Sequence, residues 1–125
     1  MKYTEHLLKI AERFAHKLLL AQQASAQPGE IMAVLQTAGL WEKSAEVAPL
    51  LNTAGVSDDT TVQIFIIVDS KLNCTYRIAT TPPRPAAAIK LRGLLNYKYS
   101  VAMKKALTTA NISVTDTIEL KWMNF

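Results

Sequence analysis

The fold is decided by a short apolar stretch in the middle of the chain, Val62-Gln63-Ile64-Phe65-Ile66-Ile67-Val68. Most of its residues are β-branched or aromatic, which favours an extended conformation. Apolar side chains alternate onto both faces of such a segment, and that pattern is typical of a strand in the interior of a sheet. We therefore predict a central strand at residues 62–68.

The next segments predict an antiparallel hairpin followed by a long helix. A polar turn at 70–73 leads into a second β-rich segment at 74–80. A proline-rich junction at 82–85 ends that strand and suits the first turn of a helix. Helix-forming residues then dominate from residue 85 to about residue 109.

The C-terminal segment 112–122 predicts a half-buried third strand, because apolar and polar residues alternate along it. Asp116 interrupts the apolar side, and we expect it to mark a bulge or the edge of the core. Since the long helix returns the chain across the sheet, the last strand should pair antiparallel with the first. The predicted sheet order is 2-1-3.

The N-terminal part predicts three helices. Residues 4–23 carry apolar side chains at spacings of three and four, and their wide apolar side packs either on the sheet or on another subunit. The pattern of residues 34–40 recurs at 50–56, and each copy contains a glycine followed by an apolar residue, as at the end of a helix. We therefore predict short helices at about 28–38 and 42–53.

These elements together predict an α+β fold in a single domain, residues 1–125. A chain of 125 residues is long enough for one packed core and short for two. The small antiparallel sheet of three strands should be packed by the N-terminal helix, the two short helices and the long helix. Residues 1–56 form the helical part, and residues 61–125 form the β-β-α-β part.

Charge is divided unevenly along the chain. Residues 1–70 contain five basic and eight acidic side chains, a net charge of −3, whereas residues 71–125 contain nine basic and two acidic ones, a net charge of +7. No Asp or Glu occurs from residue 70 to residue 115. A sustained positive face attracts phosphate or acidic protein, so this division predicts one docking face.

The long helix supplies the residues that we expect at this face. Gly93 lies in the middle of the helix, where glycine costs about 1 kcal/mol relative to alanine. Close approach of another backbone is one explanation for this glycine, and neutral drift is the other. The predicted contact residues are Lys90, Arg92, Gly93, Tyr97, Lys98, Ser100, Lys104 and Lys105.

The other side of the long helix is predicted to face the core. Projection at 100° per residue groups its apolar residues on one side. That side contains Leu91, Leu95, Ala102 and Ala106, with Ala88 and Tyr99 beside them.

The titratable residues do not predict an active site. His6 and His16 belong to the first helix and Cys74 to a strand, so a Cys74 nucleophile with His16 as its base would need tertiary proximity that no motif indicates. Metal-ligand spacing and a glycine-rich phosphate loop are absent from the sequence. We therefore predict no enzymatic activity, no cofactor, no metal and no small-molecule substrate.

Three sequence features bear on the compartment. Cys74 is the single cysteine, so no internal disulfide forms. Ala24-Ser25-Ala26 resembles a signal-peptidase site, but the apolar run before it, residues 18–21, is shorter than the ~7–15 residues of a signal core. No run approaches the ~20 apolar residues of a membrane span. We expect no signal-peptide secretion, no membrane partner, and a cytoplasmic or virion-associated protein.

The first function hypothesis is a non-enzymatic assembly subunit that forms a homo-oligomer or part of a larger particle. The polarised charge favours it, because the negative half of one molecule can meet the positive half of another. The order of helix, antiparallel strands, helix and terminal strand is similar to that of phage tail-terminator and related neck proteins. This resemblance of layout implies a virion component and transfers no functional residue.

The alternative hypothesis is sequence-independent binding of nucleic acid by the basic segment 70–115. Lysine and arginine side chains neutralise phosphates, and tyrosine rings stack on bases. The residues expected to contact nucleic acid are Lys90, Arg92, Tyr97, Lys98, Lys104 and Lys105.

Overall fold

The computed structural model describes residues 6–13 and 25–125, and it confirms the predicted α+β class. Thus part of the predicted helix 4–23 lies outside the described residues; residues 6–13 are helical and exposed. The elements in chain order are helix α1 (6–13), α2 (Pro28–Thr37), α3 (Ser44–Ala54), strand β1 (Thr61–Val68), β2 (Cys74–Thr81), α4 (Pro85–Thr109) and β3 (Ile118–Asn124).

The sheet has the predicted order β2-β1-β3, and both pairs of strands are antiparallel. Ile66 of β1 lies opposite Tyr76 of β2 and Leu120 of β3. On the inner face, all four even-numbered residues of β1 are buried, whereas Phe65 and Ile67 on the outer face are half-buried. The apolar pattern therefore identified the central strand correctly, although only one of its faces is fully covered.

The outer face of the sheet is partly covered by a charged side chain. The Arg77 guanidinium lies 4.1 Å from the centre of the Phe65 ring. Its Nε also donates a hydrogen bond of 2.9 Å to Glu119 on β3. One arginine thus shields the apolar ring of the central strand and links the two edge strands.

The third strand is shorter than predicted and is bulged at a different residue. Asp116 is exposed and lies before β3, so it does not interrupt the strand. The register between β1 and β3 shifts after Ile64. Ile64 pairs with Met123 and Phe65 pairs with Lys121, so Trp122 is an extra residue on β3. This bulge places Trp122 and Met123 in the core together, which simple alternation does not allow.

The buried side of α4 was only partly predicted. Leu91, Leu95 and Tyr99 are buried as expected, but Ala102 is exposed and Met103 takes its place in the core. A spacing of four residues turns the contact line by about 40° at each step, because a helical turn contains 3.6 residues. The buried line winds around α4 through Ala87, Leu91, Leu95, Tyr99, Met103 and Leu107.

Helices α2 and α3 end in the two glycine turns predicted from the repeated pattern. Gly39 and Gly55 have φ angles of 73° and 85°, the left-handed region that glycine adopts without strain. The amide of Leu40 donates to Leu35 O at 2.8 Å, and the equivalent bond follows Gly55. Both helices pack against α4, and α2 also contacts β3.

None of the described helices is long and apolar enough to cross a membrane.

The buried line of α4 leads to a prediction about the free energy of unfolding. Leu95→Ala should lower the free energy of unfolding by about 2–5 kcal/mol, because Leu95 is completely buried and its truncation leaves a cavity. Val101→Ala, on the same helix but 81% exposed, should change it by less than about 0.5 kcal/mol. Urea denaturation of both variants measures the difference, and equal losses would contradict the assigned faces of α4.

Candidate docking surface on the long helix

The predicted contact residues of α4 do not form one stripe. An exposed line on the side of the helix opposite the core winds in step with the buried line, at intervals of four residues. Gly93, Tyr97, Val101 and Lys105 form this line, which we call the α4 ridge, and Ile89 precedes it. Tyr97 is 92% exposed and Ile89 is 60% exposed, so large apolar side chains project from this side of the helix.

Ser100 and Lys104, both predicted contact residues, face the sheet. The Ser100 hydroxyl lies 2.7 Å from Cys74 O and donates a hydrogen bond to it. Lys104 Nζ donates to Asn73 Oδ1 at 2.9 Å. These two side chains hold α4 against the start of β2, which gives them a structural role in the described chain.

The turn that Lys104 contacts is built around a carboxylate. Asp69 accepts hydrogen bonds of 2.9 Å from the backbone amides of Lys71 and Asn73. These bonds, led by the Asn73 amide, lower the pKa of Asp69, and the nearby Lys104 charge adds to the effect. The basic segment therefore uses one of its cations to stabilise the hairpin turn.

Lys98 is directed towards helix α3. Its Nζ lies 3.6 Å from Glu46 Oε1 and 5.6 Å from the centre of the Tyr99 ring. Glu46 also pairs with Lys43 at 2.6 Å, and the Lys43 hydrogen bond is the main cause that lowers the pKa of Glu46. Lys98 thus takes part in a surface charge network between α3 and α4.

The three remaining cations, Lys90, Arg92 and Lys105, form no ion pair with residues 6–13 or 25–125. Arg92 lines a groove beside β2, whereas Lys90 lines a different one beside Pro83. Lys105 borders a groove of about 640 Å³ between α2 and α4, whose walls are mainly alanine side chains. The ridge therefore includes one of these cations, Lys105, and is flanked by the other two.

Val101 and Ile89 are the surface residues that the sequence interpretation missed. The signal was the spacing of the buried leucines, because Leu91 and Leu95 are four residues apart and this interval predicts a winding line. An exposed line at the same interval passes through Ile89 and Val101. Grouping the helix residues at one fixed direction around the axis, instead of along a winding line, concealed it.

The described titratable groups do not converge on a chemical site. Among residues 6–13 and 25–125, no three His, Cys, Asp or Glu side chains are grouped so that they could hold a metal ion. Burial raises the pKa of the Cys74 thiol to about 12, and the Asp69 charge acts in the same direction. His16, the base considered for Cys74, lies outside the described residues.

The buried thiol makes a prediction about reactivity. Cys74 should resist a thiol reagent at pH 8 in the native protein and react quickly in denaturant, because the native thiol stays protonated. The thiol of the unfolded chain ionises near its ordinary pKa of about 8.5, whereas the native thiol keeps its proton up to about pH 12. The free energy of unfolding should therefore fall as the pH rises from about 8.5 towards 12. Rapid labelling of folded protein would show that Cys74 is accessible.

Comparison with known proteins identified no relative of this chain: no family model, curated protein or solved structure matches it. The similarity of layout to phage neck proteins therefore rests on the order of the elements alone.

Proposed function

We propose that this chain is a non-enzymatic assembly subunit that docks against another protein subunit through the α4 ridge. The observation that carries the proposal is the exposed apolar line on the outside of α4, where Tyr97 and Val101 are 92% and 81% exposed. Large apolar side chains at adjacent turns of one helix face are typical of a protein contact surface.

Gly93 supports close approach of a partner at this ridge. A Cβ atom built at Gly93 would meet nothing within 4 Å, so packing within the described chain does not require glycine there. Glycine in a helix interior costs about 1 kcal/mol relative to alanine. The missing side chain leaves a notch between the exposed Ile89 and Tyr97, into which a partner backbone would fit.

The charges around the ridge favour a partner with an acidic surface. Lys90 and Arg92 flank the ridge and Lys105 belongs to it, and none of the three forms an ion pair with the described residues. The first 70 residues of the chain have a net charge of −3, so another copy can supply the complementary surface. We therefore propose a homo-oligomer or a larger particle, such as a virion tail or neck, as the assembly.

The mass of the native complex tests this proposal. Light scattering should give a multiple of the chain mass of 13.8 kDa, and Gly93→Leu should reduce it to the single-chain mass by filling the notch. Gly29→Leu is the matched control, because a Cβ at Gly29 also meets nothing within 4 Å and its φ is not positive. The control variant should keep the mass of the wild-type assembly.

Two results would contradict the proposal. One is a wild-type chain that stays monomeric at every concentration tested. The other is a Gly93→Leu variant that assembles normally and is simply more stable, by up to about 1 kcal/mol, as expected for removing an interior helical glycine.

Nucleic-acid binding is the second candidate, and the exposure of Tyr97 favours it. The ring is 92% exposed, and Lys90, Arg92 and Lys105 are exposed on the same helix, so the ring is free to stack on a base while the cations approach phosphates. This candidate uses the same ridge with a different partner, and salt dependence separates the two.

A salt titration with random-sequence single-stranded DNA tests this candidate. If the three cations each neutralise one phosphate, log K should fall with log salt with a slope of about −2. Tyr97→Ala should lose about 1–3 kcal/mol of binding free energy, whereas Val101→Ala should lose much less. Undetectable binding at low salt would eliminate nucleic acid as the partner.

A further inference from the structure

We propose that the free edge of β2 is a strand-addition site that binds an extended partner segment in which acidic and apolar residues alternate. The site lies on the opposite side of β2 from β1, next to the first half of α4. Ile89 and Arg92 border both this site and the α4 ridge, but the backbone edge of β2 takes no part in the ridge, so tests on that edge distinguish this proposal from the assembly proposal.

The pairing of the sheet shows which backbone groups of β2 are free. Val62 and Phe125 exchange hydrogen bonds of 2.9 and 2.8 Å, so the even-numbered residues of β1 bond to β3 and the odd-numbered residues bond to β2. In the register with β2, the partners of the odd-numbered residues include Thr75, Arg77 and Ala79. The backbone N–H and C=O groups of the residues between them, Tyr76 and Ile78, therefore point away from the sheet.

Both ends of this free edge are closed by the chain itself. Near one end, Cys74 O accepts the hydrogen bond from the Ser100 hydroxyl. Near the other, the Arg84 amide donates to Thr80 Oγ1 at 2.7 Å, and Pro82 follows the strand. Within the described residues no hydrogen bond reaches the backbone of Tyr76 or Ile78 from outside the sheet, so the open part of the edge is centred on these two residues.

The two edge strands differ in how they are protected against pairing. Proteins commonly protect an edge with bulges and charged side chains. Strand β3 has both, because it is bulged at Trp122 and carries Glu119 and Lys121. Strand β2 has no bulge, and its single charged side chain, Arg77, is occupied by Glu119 and Phe65. The unprotected edge is therefore β2.

A groove of about 500 Å³ lies along this edge and defines the chemistry of the occupant. On the inner side, Ile78 faces Ala88 and the 60% exposed Ile89 of α4, which suits apolar side chains of an added strand. Arg92 stands at the rim, and Arg77 lines the outer side. Since successive side chains of a strand point to opposite faces, apolar residues would face α4 and acidic residues would lie on the outer side with Arg77, while the Arg92 charge at the rim adds longer-range attraction.

Charge selects an acidic segment over a second copy of β2. Pairing two β2 edges would bring the arginines of two acid-free segments together, and like charges opposite each other in a sheet are destabilising. An acidic strand instead gains attraction from Arg92, which forms no ion pair with the described residues.

Binding of short synthetic peptides tests the site. The probe is a labelled eight-residue peptide of alternating Val and Glu, measured by fluorescence anisotropy at low salt. The first control replaces Glu with Lys, and the second carries N-methyl groups on alternate amides and so cannot complete the ladder. The Lys peptide should bind at least about tenfold more weakly because its charge repels the arginines. The N-methylated peptide should also bind at least about tenfold more weakly because it loses two backbone hydrogen bonds.

Matched variants locate the site on the protein. Arg92→Glu should weaken binding of the Val-Glu peptide about tenfold, whereas Lys90→Glu, which lines a different groove, should weaken it by about twofold or less. Ile78→Pro removes an N–H that points away from β1 and should abolish binding. If Ile78→Pro does not fold, Ile89→Glu replaces it, because Ile89 is an exposed residue of α4 that lines the same groove, and this variant should also abolish binding.

Three results would overturn the proposal. The first is equal binding of the Val-Glu peptide and its N-methylated form, which would exclude strand addition. The second is equal effects of Arg92→Glu and Lys90→Glu, which would indicate a diffuse charge effect. The third is a wild-type dimer that Ile78→Pro dissociates, which would make a second copy the occupant of the edge.

Discussion

An aromatic cluster of Tyr76, Tyr99 and Trp122 fixes the position of α4 on the sheet. Trp122 stacks on Tyr76 with ring centres 5.7 Å apart and meets Tyr99 edge-on at 5.2 Å. One ring thus joins both edge strands to the long helix across the inner face of β1. The Trp122 Nε1 also donates to Trp41 O at 2.7 Å, which ties the loop between α2 and α3 to the same cluster.

The exposed surface follows from this buried cluster. Because Tyr99 points inward, Tyr97 and Val101, two residues to either side, point outward. The hydroxyl of Tyr76 donates to Met103 Sδ at 3.2 Å and continues the buried line along the helix. The same packing holds Ile89 and Arg92 beside the free edge of β2. Both proposed contact surfaces therefore depend on how the aromatic rings orient one helix.

Local patterns in the sequence were sufficient to predict the central strand, the sheet order and the two glycine turns. The strand and the turns depend on residues close together in the chain, such as Gly55 and the apolar residue after it, and the sheet order follows because the long helix returns the chain across the sheet. The contacts of Ser100 and Lys104 were not predictable, because their partners are 26 and 31 residues away, at Cys74 and Asn73. The bulge at Trp122 was missed for the same reason, since it becomes evident only when β3 is aligned with β1.

The arrangement of apolar and charged residues on α4 favours docking to protein over binding to phosphate. A surface built for a polyanion would place its cations at the outermost positions, where they reach the backbone first. On α4 the ridge has Tyr97 and Val101 at its middle and a single cation, Lys105, at its end, and Lys90 and Arg92 stand at the flanks. An apolar centre with a charged rim is the usual anatomy of a protein interface. The acid-free segment would then serve mainly to select an acidic partner and to orient it, while burial of the ridge supplies the affinity.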